Sequence, residues 1–314
     1  MASGAGLIGT IIPACLLLVL GSAWLLTGQH ISTTLTNSSP LPHFTNFTSF
    51  ALIVQNILAF AGMEVNAVHA QQMDHPKSYT RVVGIAFISA LDIFIIPTLI
   101  LSMVLPRNVN LSDGTVIAFQ TMFSTFHIGF MGNVVAFAIV FGAIASIISW
   151  ISGPSLGLLE AAKDGCPPDY FKKTNANGAQ SGILMIMGAI VTLLAMLYII
   201  FPNSVSLVFS LLIGMAVALY VMMYIIMFAA AIALRRRHKT GNSGYRAPAL
   251  YVMAGVGIVA CVCAFVMTFV PAAGQTGIPT GLYSVITDLV VAVLAIPSVV
   301  LYHYTQRQSA RRHQ

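Results

Sequence analysis

The chain of 314 residues is 58% hydrophobic and only 7% charged, and its mean hydropathy is +0.90. A soluble domain carries about 25% charged residues, so this composition excludes a soluble globular protein and predicts a polytopic membrane protein. A formal net charge of +6 is also typical of nucleic-acid-binding proteins, so the positions of the basic residues matter.

Runs of at least ~18 mostly apolar residues predict membrane-spanning helices. The first run lacks a basic leader and a small-residue cleavage site, so it is expected to be a span and not a signal peptide. We expect an all-α integral membrane protein with a single transmembrane domain over 1–314. Eight spans are predicted, at about 7–27, 48–70, 82–105, 131–153, 182–201, 205–234, 250–271 and 283–303.

The basic residues follow alternate spans. With eight spans, 13 of the 14 basic residues fall on one face of the membrane and only Arg107 falls on the other. Cytoplasmic loops attract Lys and Arg, so both termini are expected to be cytoplasmic. The positive charge therefore reflects topology, and no nucleic-acid partner is expected.

The second outer loop, 106–130, contains the apolar stretch "VIAFQTMFSTF", which is too short to span. This stretch predicts a short helix that either lies at the interface or folds over an outward vestibule.

Motifs of several enzyme classes are missing from the sequence. It contains no phosphate loop, no H-E-x-x-H metal motif and no G-x-S-x-G nucleophile elbow. Cys261 and Cys263 form C-x-C within a span, which is not a zinc spacing. We therefore expect no enzyme activity, no cofactor and no metal, but a secondary mover of solutes or a non-enzymatic membrane component.

Carboxylates inside spans indicate functional sites, because each costs roughly 2.5–3.5 kcal/mol at mid-helix. Asp288 lies near the start of the last span and is interpreted as interfacial, and Asp92 is interpreted as a helix-packing residue. Glu64 differs because Gly62 precedes it and the rest of the span becomes polar, in "FAGMEVNAVH". This pattern predicts a helix broken at membrane depth, where exposed backbone could form a transporter site. A simple kink with an internally paired glutamate is the alternative.

Four segments share their order and spacing with one family. They are "FAGMEVNAVHAQQMDHP", "ASIISWISGPSLGLLEAAKDGCPPDYFKKTNANG", "LYVMMYIIMF" and "YRAP". The chain is thereby identified as a member of the amino acid–polyamine–organocation superfamily, and it most resembles the glutamate/γ-aminobutyrate antiporters of bacteria.

The resemblance implies the fold of two inverted five-helix repeats followed by two accessory helices. The eight spans would match helices five to twelve, which are the second repeat and the accessory helices, so the chain would be truncated at its N-terminus. It further implies amino-acid exchange at the cell inner membrane, with glutamate, γ-aminobutyrate or a similar amino acid as the substrate. The alternative is a non-transporting fragment or assembly subunit that needs a partner chain to supply the missing helices.

The resemblance also implies which residues form the site. Phe60, Ala61, Gly62, Met63 and Glu64 would supply exposed backbone and a charge to the substrate. Further substrate contacts would come from Ser149, Trp150, Ser152, Tyr220 and Tyr224. His69 and Glu64 are candidate pH sensors, since histidine titrates between pH 5 and 8. A packing tryptophan, core tyrosines and a satisfied histidine are the structural alternatives for these side chains.

Two features of the sequence depart from the family pattern, one at a single residue and one across a whole span. Leu156 stands where the family commonly has an arginine after G-P-S. The span 7–27 has no lysine, which favours exchange over lysine-mediated proton symport.

Overall fold

The computed structural model describes residues 2–31, 47–65, 78–105, 114–163, 169–176, 178–237, 249–271 and 278–312. Within these ranges the chain forms α-helices and short 3₁₀ turns and no strand. The α-helices are α1 (Ala2–Leu26), α2 (Phe47–Phe60), α3 (Tyr79–Val104), α4 (Gly114–Thr125), α5 (Met131–Lys163), α6 (Ser181–Ile200), α7 (Val205–Arg237), α8 (Leu250–Thr268) and α9 (Thr280–Arg312).

Each predicted span overlaps one of these helices. Six of them (α3 and α5 to α9) are long and apolar enough to cross a membrane, by length and composition. The apolar part of α1, Ile11–Leu26, is shorter than these six helices. The α2 helix is also shorter, with 14 residues. The prediction of an all-α, multi-pass membrane protein is confirmed.

Several helices differ in length from the predicted spans. The α2 helix ends at Phe60, ten residues before the predicted end of its span, and residues 66–70 of that span lie outside the described ranges. In contrast, α5 continues through Pro154 to Lys163 and α9 continues to Arg312. These extensions carry polar and basic residues, which do not enter a hydropathy run even when the backbone stays helical.

The chain divides into two compact units, and the first contains 1–42 and 82–157. Its core is centred on α4, the helix predicted from the apolar stretch in loop 106–130. Ala118, Phe119, Met122 and Phe123 of α4 are completely or almost completely buried. They pack in one cluster with side chains of α1, α3 and α5, namely Leu17, Leu20, Trp24, Ile100, Val104 and Val135. The short helix is therefore part of the core of its unit.

The second unit contains 43–81 and 158–314. Its centre is α7, which packs on α2 and α8 through Val54, Val217, Val221 and Ala264. On α9, the buried Val291 belongs to a cluster with Met215 and Ala218 of α7. These contacts place the end of α2 beside the middle of α7.

Candidate functional site

The α2 helix is interrupted inside an apolar segment. Ala61 still donates its amide to the Ile57 carbonyl at 3.1 Å, and Gly62 then adopts a φ of +97°. A side chain would be strained at that angle, so glycine is the residue that allows the turn. Met63–Val65 follow as a short 3₁₀ turn, in which the Val65 amide donates to the Gly62 carbonyl at 3.2 Å. The backbone therefore leaves the α-helical path at the residues where the sequence predicted a break.

Tyr224 of α7 connects the two sides of this break. The Gly62 amide donates to the Tyr224 hydroxyl at 3.1 Å, and that hydroxyl donates to Oε2 of Glu64 at 2.9 Å. One phenol thus satisfies an amide released by the helix end and also binds the carboxylate. This matters energetically, because an unpaired amide in a membrane costs several kcal/mol.

The second carboxylate oxygen of Glu64 is available to a further donor. Oε1 is buried, and no described residue donates a hydrogen bond to it. A buried carboxylate oxygen without a donor is costly, so this atom favours a hydrogen-bond donor as its partner. An ammonium group has both the charge and the donors that such an oxygen requires.

The position of Tyr224 along α7 sets the depth of the break. Tyr224 precedes Arg235, the first arginine at the end of α7, by eleven residues. At 1.5 Å per residue this is roughly 16 Å, which is about half of a 30 Å hydrocarbon core. Tyr224 therefore lies about halfway along the apolar span Pro202–Arg237, and the break and Glu64 lie beside it.

An apolar cavity of about 320 Å³ adjoins the break in the same unit. It lies between α2, α7 and α8, and Phe60, Ala61 and Tyr224 form its wall on the side of the break. The opposite wall includes Gly257, where a side chain would collide with the ring of Phe228, 2.7 Å from the position of a Cβ. The glycine thus permits the close approach of α7 and α8 at this depth.

The remaining predicted site residues have different positions. The half-buried Tyr220 has its ring centroid 6.0 Å from that of Tyr224. Ser149, Trp150 and Ser152 lie on the part of α5 that belongs to the first unit, and the indole of Trp150 is exposed. Their contact with substrate stays a prediction. His69 lies outside the described residues, so its predicted pH sensing also stays a prediction.

No sequence pattern predicted the hydrogen bond from the Gly62 amide to the Tyr224 hydroxyl. The two residues are 162 positions apart, so no local pattern reports their contact. The only available signal was the spacing of Tyr220 and Tyr224, which places both on one face of a helix. In the part of the chain that the structure describes, no group of three or more His, Cys, Asp or Glu side chains could hold a metal ion.

The model of the family described as amino acid permease matches residues 1–294. The chain belongs to the amino acid permease family. The match confirms the resemblance drawn from the four motifs, and it places the protein in a transporter family and not in an enzyme family.

Relatives of this permease-family chain include antiporters. It is 28% identical to a glutamate/gamma-aminobutyrate antiporter of Lactococcus lactis over 303 residues, which are 94% of this chain and 60% of the relative. It is 28% identical to an uncharacterized transporter of Legionella pneumophila over 270 residues, 84% of this chain and 58% of the relative. A probable agmatine/putrescine antiporter of Lactococcus lactis is 27% identical over 203 residues, 62% of this chain and 43% of the relative. The chain thus spans at most about 60% of the length of these relatives.

Proposed function

We propose that this chain forms part of an amino-acid antiporter of the plasma membrane, with the substrate bound at the break after Phe60. The observation that carries the proposal is the bridge from the Gly62 amide through the Tyr224 hydroxyl to Glu64, beside the middle of the apolar span of α7. A permeating amino acid needs a donor and an acceptor inside the membrane, and broken helices supply both.

The roles of the residues follow from their contacts. The buried Oε1 of Glu64 accepts a hydrogen bond from the substrate's ammonium group, while Tyr224 holds the carboxylate through Oε2. Met63 and Phe60 add apolar contacts beside the substrate.

The exchanged substrates are proposed from the relatives. Two relatives bear the name glutamate/gamma-aminobutyrate antiporter and match 94% of this chain. We propose the same class of exchange here, a dicarboxylic amino acid against a neutral product with one carboxylate fewer. Both termini are proposed to be cytoplasmic, on the basis of the 13 basic residues on one face.

The test is uptake of labelled glutamate into proteoliposomes preloaded with γ-aminobutyrate. The chain is assayed alone and together with the N-terminal segment of the Lactococcus lactis antiporter that precedes the matched region. Exchange in either preparation, lost without internal γ-aminobutyrate, supports the proposal. Failure of both preparations to exchange, while the intact Lactococcus protein exchanges, contradicts it.

A second candidate is a membrane component that acts only with a partner chain. The specific observation in its favour is the coverage of about 60% of the relatives' length. It predicts that the purified chain alone binds no amino acid and that co-expression with the N-terminal segment of the Lactococcus lactis antiporter restores binding. Saturable binding by the chain alone would exclude this candidate.

A further inference from the structure

A groove in the second unit lies at the C-terminal end of α7, beside α8. Its volume is about 380 Å³, and it is lined by apolar side chains and two arginines, namely Ala229, Ile232, Ala233, Arg236, Arg237 and Ile258. Ala229 and Ala233 are one turn apart, so their small side chains leave space along the same face of the helix. The groove therefore joins an apolar path to two guanidinium groups at one end.

The depth of the groove matches that of a lipid. The apolar span that contains α7 ends at Arg237, and a basic run at such an end marks the headgroup level. From Arg236 to Ala229 the helix rises roughly 10 Å, so the groove reaches from this level well into one leaflet. An acyl chain occupies the same range of depth.

The charges at the groove need a partner. Neither Arg236 nor Arg237 forms an ion pair with a carboxylate among the residues that the structure describes, where the ion pair found is between Lys163 and Glu160. The helix dipole favours basic residues at a helix C-terminus, which accounts for the whole run Arg235–Arg237. It does not account for a groove that two of the three arginines line while Arg235 does not.

We propose that this groove binds an anionic phospholipid. The phosphate lies between Arg236 and Arg237, since guanidinium groups bind phosphate through paired hydrogen bonds. One acyl chain lies along Ala229, Ala233 and Ile258. Basic pockets between membrane helices bind anionic headgroups in this manner. The inference does not rest on the proposed transport activity.

The experiment measures lipid binding by native mass spectrometry of the purified full chain, with phosphatidylglycerol and phosphatidylcholine offered in equal amounts. Phosphatidylglycerol is expected to be retained in preference. Arg236→Gln and Arg237→Gln should each lower its affinity roughly fivefold, the usual effect of one basic residue near anionic lipid. Arg235→Gln is the matched control, and its affinity should remain near that of the unaltered chain.

A second substitution tests whether an acyl chain lies in the apolar part of the groove. Ala233→Leu fills the path and should lower phosphatidylglycerol retention, whereas Ala230→Leu, at an exposed position outside the lining, should not. Three results would overturn the proposal. These are an equal loss in Arg235→Gln, equal retention of phosphatidylcholine, or displacement of the lipid by inorganic phosphate, which would indicate a site for a free anion.

Discussion

Glu64 and Asp92 are both carboxylates within apolar segments, and their surroundings differ. Glu64 follows the end of α2 and binds Tyr224 through Oε2, while its other oxygen is buried. Asp92 lies near the middle of the continuous helix α3, is exposed, and pairs with no described residue. Of the two carboxylates, Glu64 is the one that follows an interrupted helix and has a described partner on another helix.

The largest effect on the exchange rate is expected when Glu64 is replaced by its amide, and the same change at Asp92 should have almost none. Glu64→Gln should lower the exchange rate roughly 10- to 100-fold, because hydrogen bonds to charged groups contribute about 1.5–3 kcal/mol. Asp92→Asn is the matched control and should leave the rate nearly unchanged. Initial rates of glutamate uptake in proteoliposomes measure both. Equal losses in the two variants would remove the distinction between the sites.

The bridge across the break gives the next largest effect. Tyr224→Phe leaves the Gly62 amide without its acceptor and Glu64 without its donor, so the rate should fall roughly tenfold. Tyr220→Phe removes the neighbouring hydroxyl on the same helix face and should produce a smaller fall. A larger fall in the exchange rate for Tyr220→Phe than for Tyr224→Phe would contradict the functional role given to the Tyr224 hydroxyl.

The glycine at the break is expected to affect stability. Gly62→Ala places a side chain at a φ of +97°, which costs about 1–2 kcal/mol of unfolding free energy and lowers the melting temperature by roughly 2–8 °C. Gly255→Ala is the control within α8, since a Cβ there meets nothing within 4 Å. It should keep or raise the melting temperature, because alanine favours a helix. Thermal denaturation followed by size-exclusion chromatography distinguishes the two, and a drop confined to Gly255→Ala would contradict the break.

The smallest effect on the exchange rate is expected for replacement of Asp92 by an apolar residue. Asp92→Leu removes an exposed carboxylate at mid-helix, and insertion scales predict a gain of about 2.5–3.5 kcal/mol for α3. The fraction of chain recovered in the membrane should rise, with the exchange rate unaltered. The contradicting result is a loss of exchange in Asp92→Leu but not in Asp92→Asn. It would show that the polar side chain at this position matters for the packing of α3.

The sequence predicted the helical class and the interruption at "FAGME" for a clear reason. Membrane helices are recognised from runs of apolar residues in the local sequence. A glycine followed by a carboxylate interrupts such a run, so the position of the break is visible in the sequence. Phe60 is the last residue of α2, directly before the predicted break. The short helix α4 was likewise readable from one apolar stretch, although not its burial against α1 and α3.

The partner of the break could not be predicted in the same way. Tyr220 and Tyr224 share one helix face, so periodicity cannot decide which of them reaches Gly62. That choice depends on how α2 packs against α7 through Val54, Val217 and Val221, contacts between residues far apart in sequence. The burial of Oε1 of Glu64, which has no donor among the described residues, also depends on the folded structure and not on a local pattern.

The most direct measurement of the central claim is equilibrium binding of labelled glutamate and labelled γ-aminobutyrate to the purified chain, with the N-terminal segment of the Lactococcus lactis antiporter present. Binding does not depend on a complete transport cycle, so it reports the site at the break itself. The account predicts saturable binding that is lost in Glu64→Gln, weakened in Tyr224→Phe and retained in Asp92→Asn. Equal binding by all three variants would contradict it.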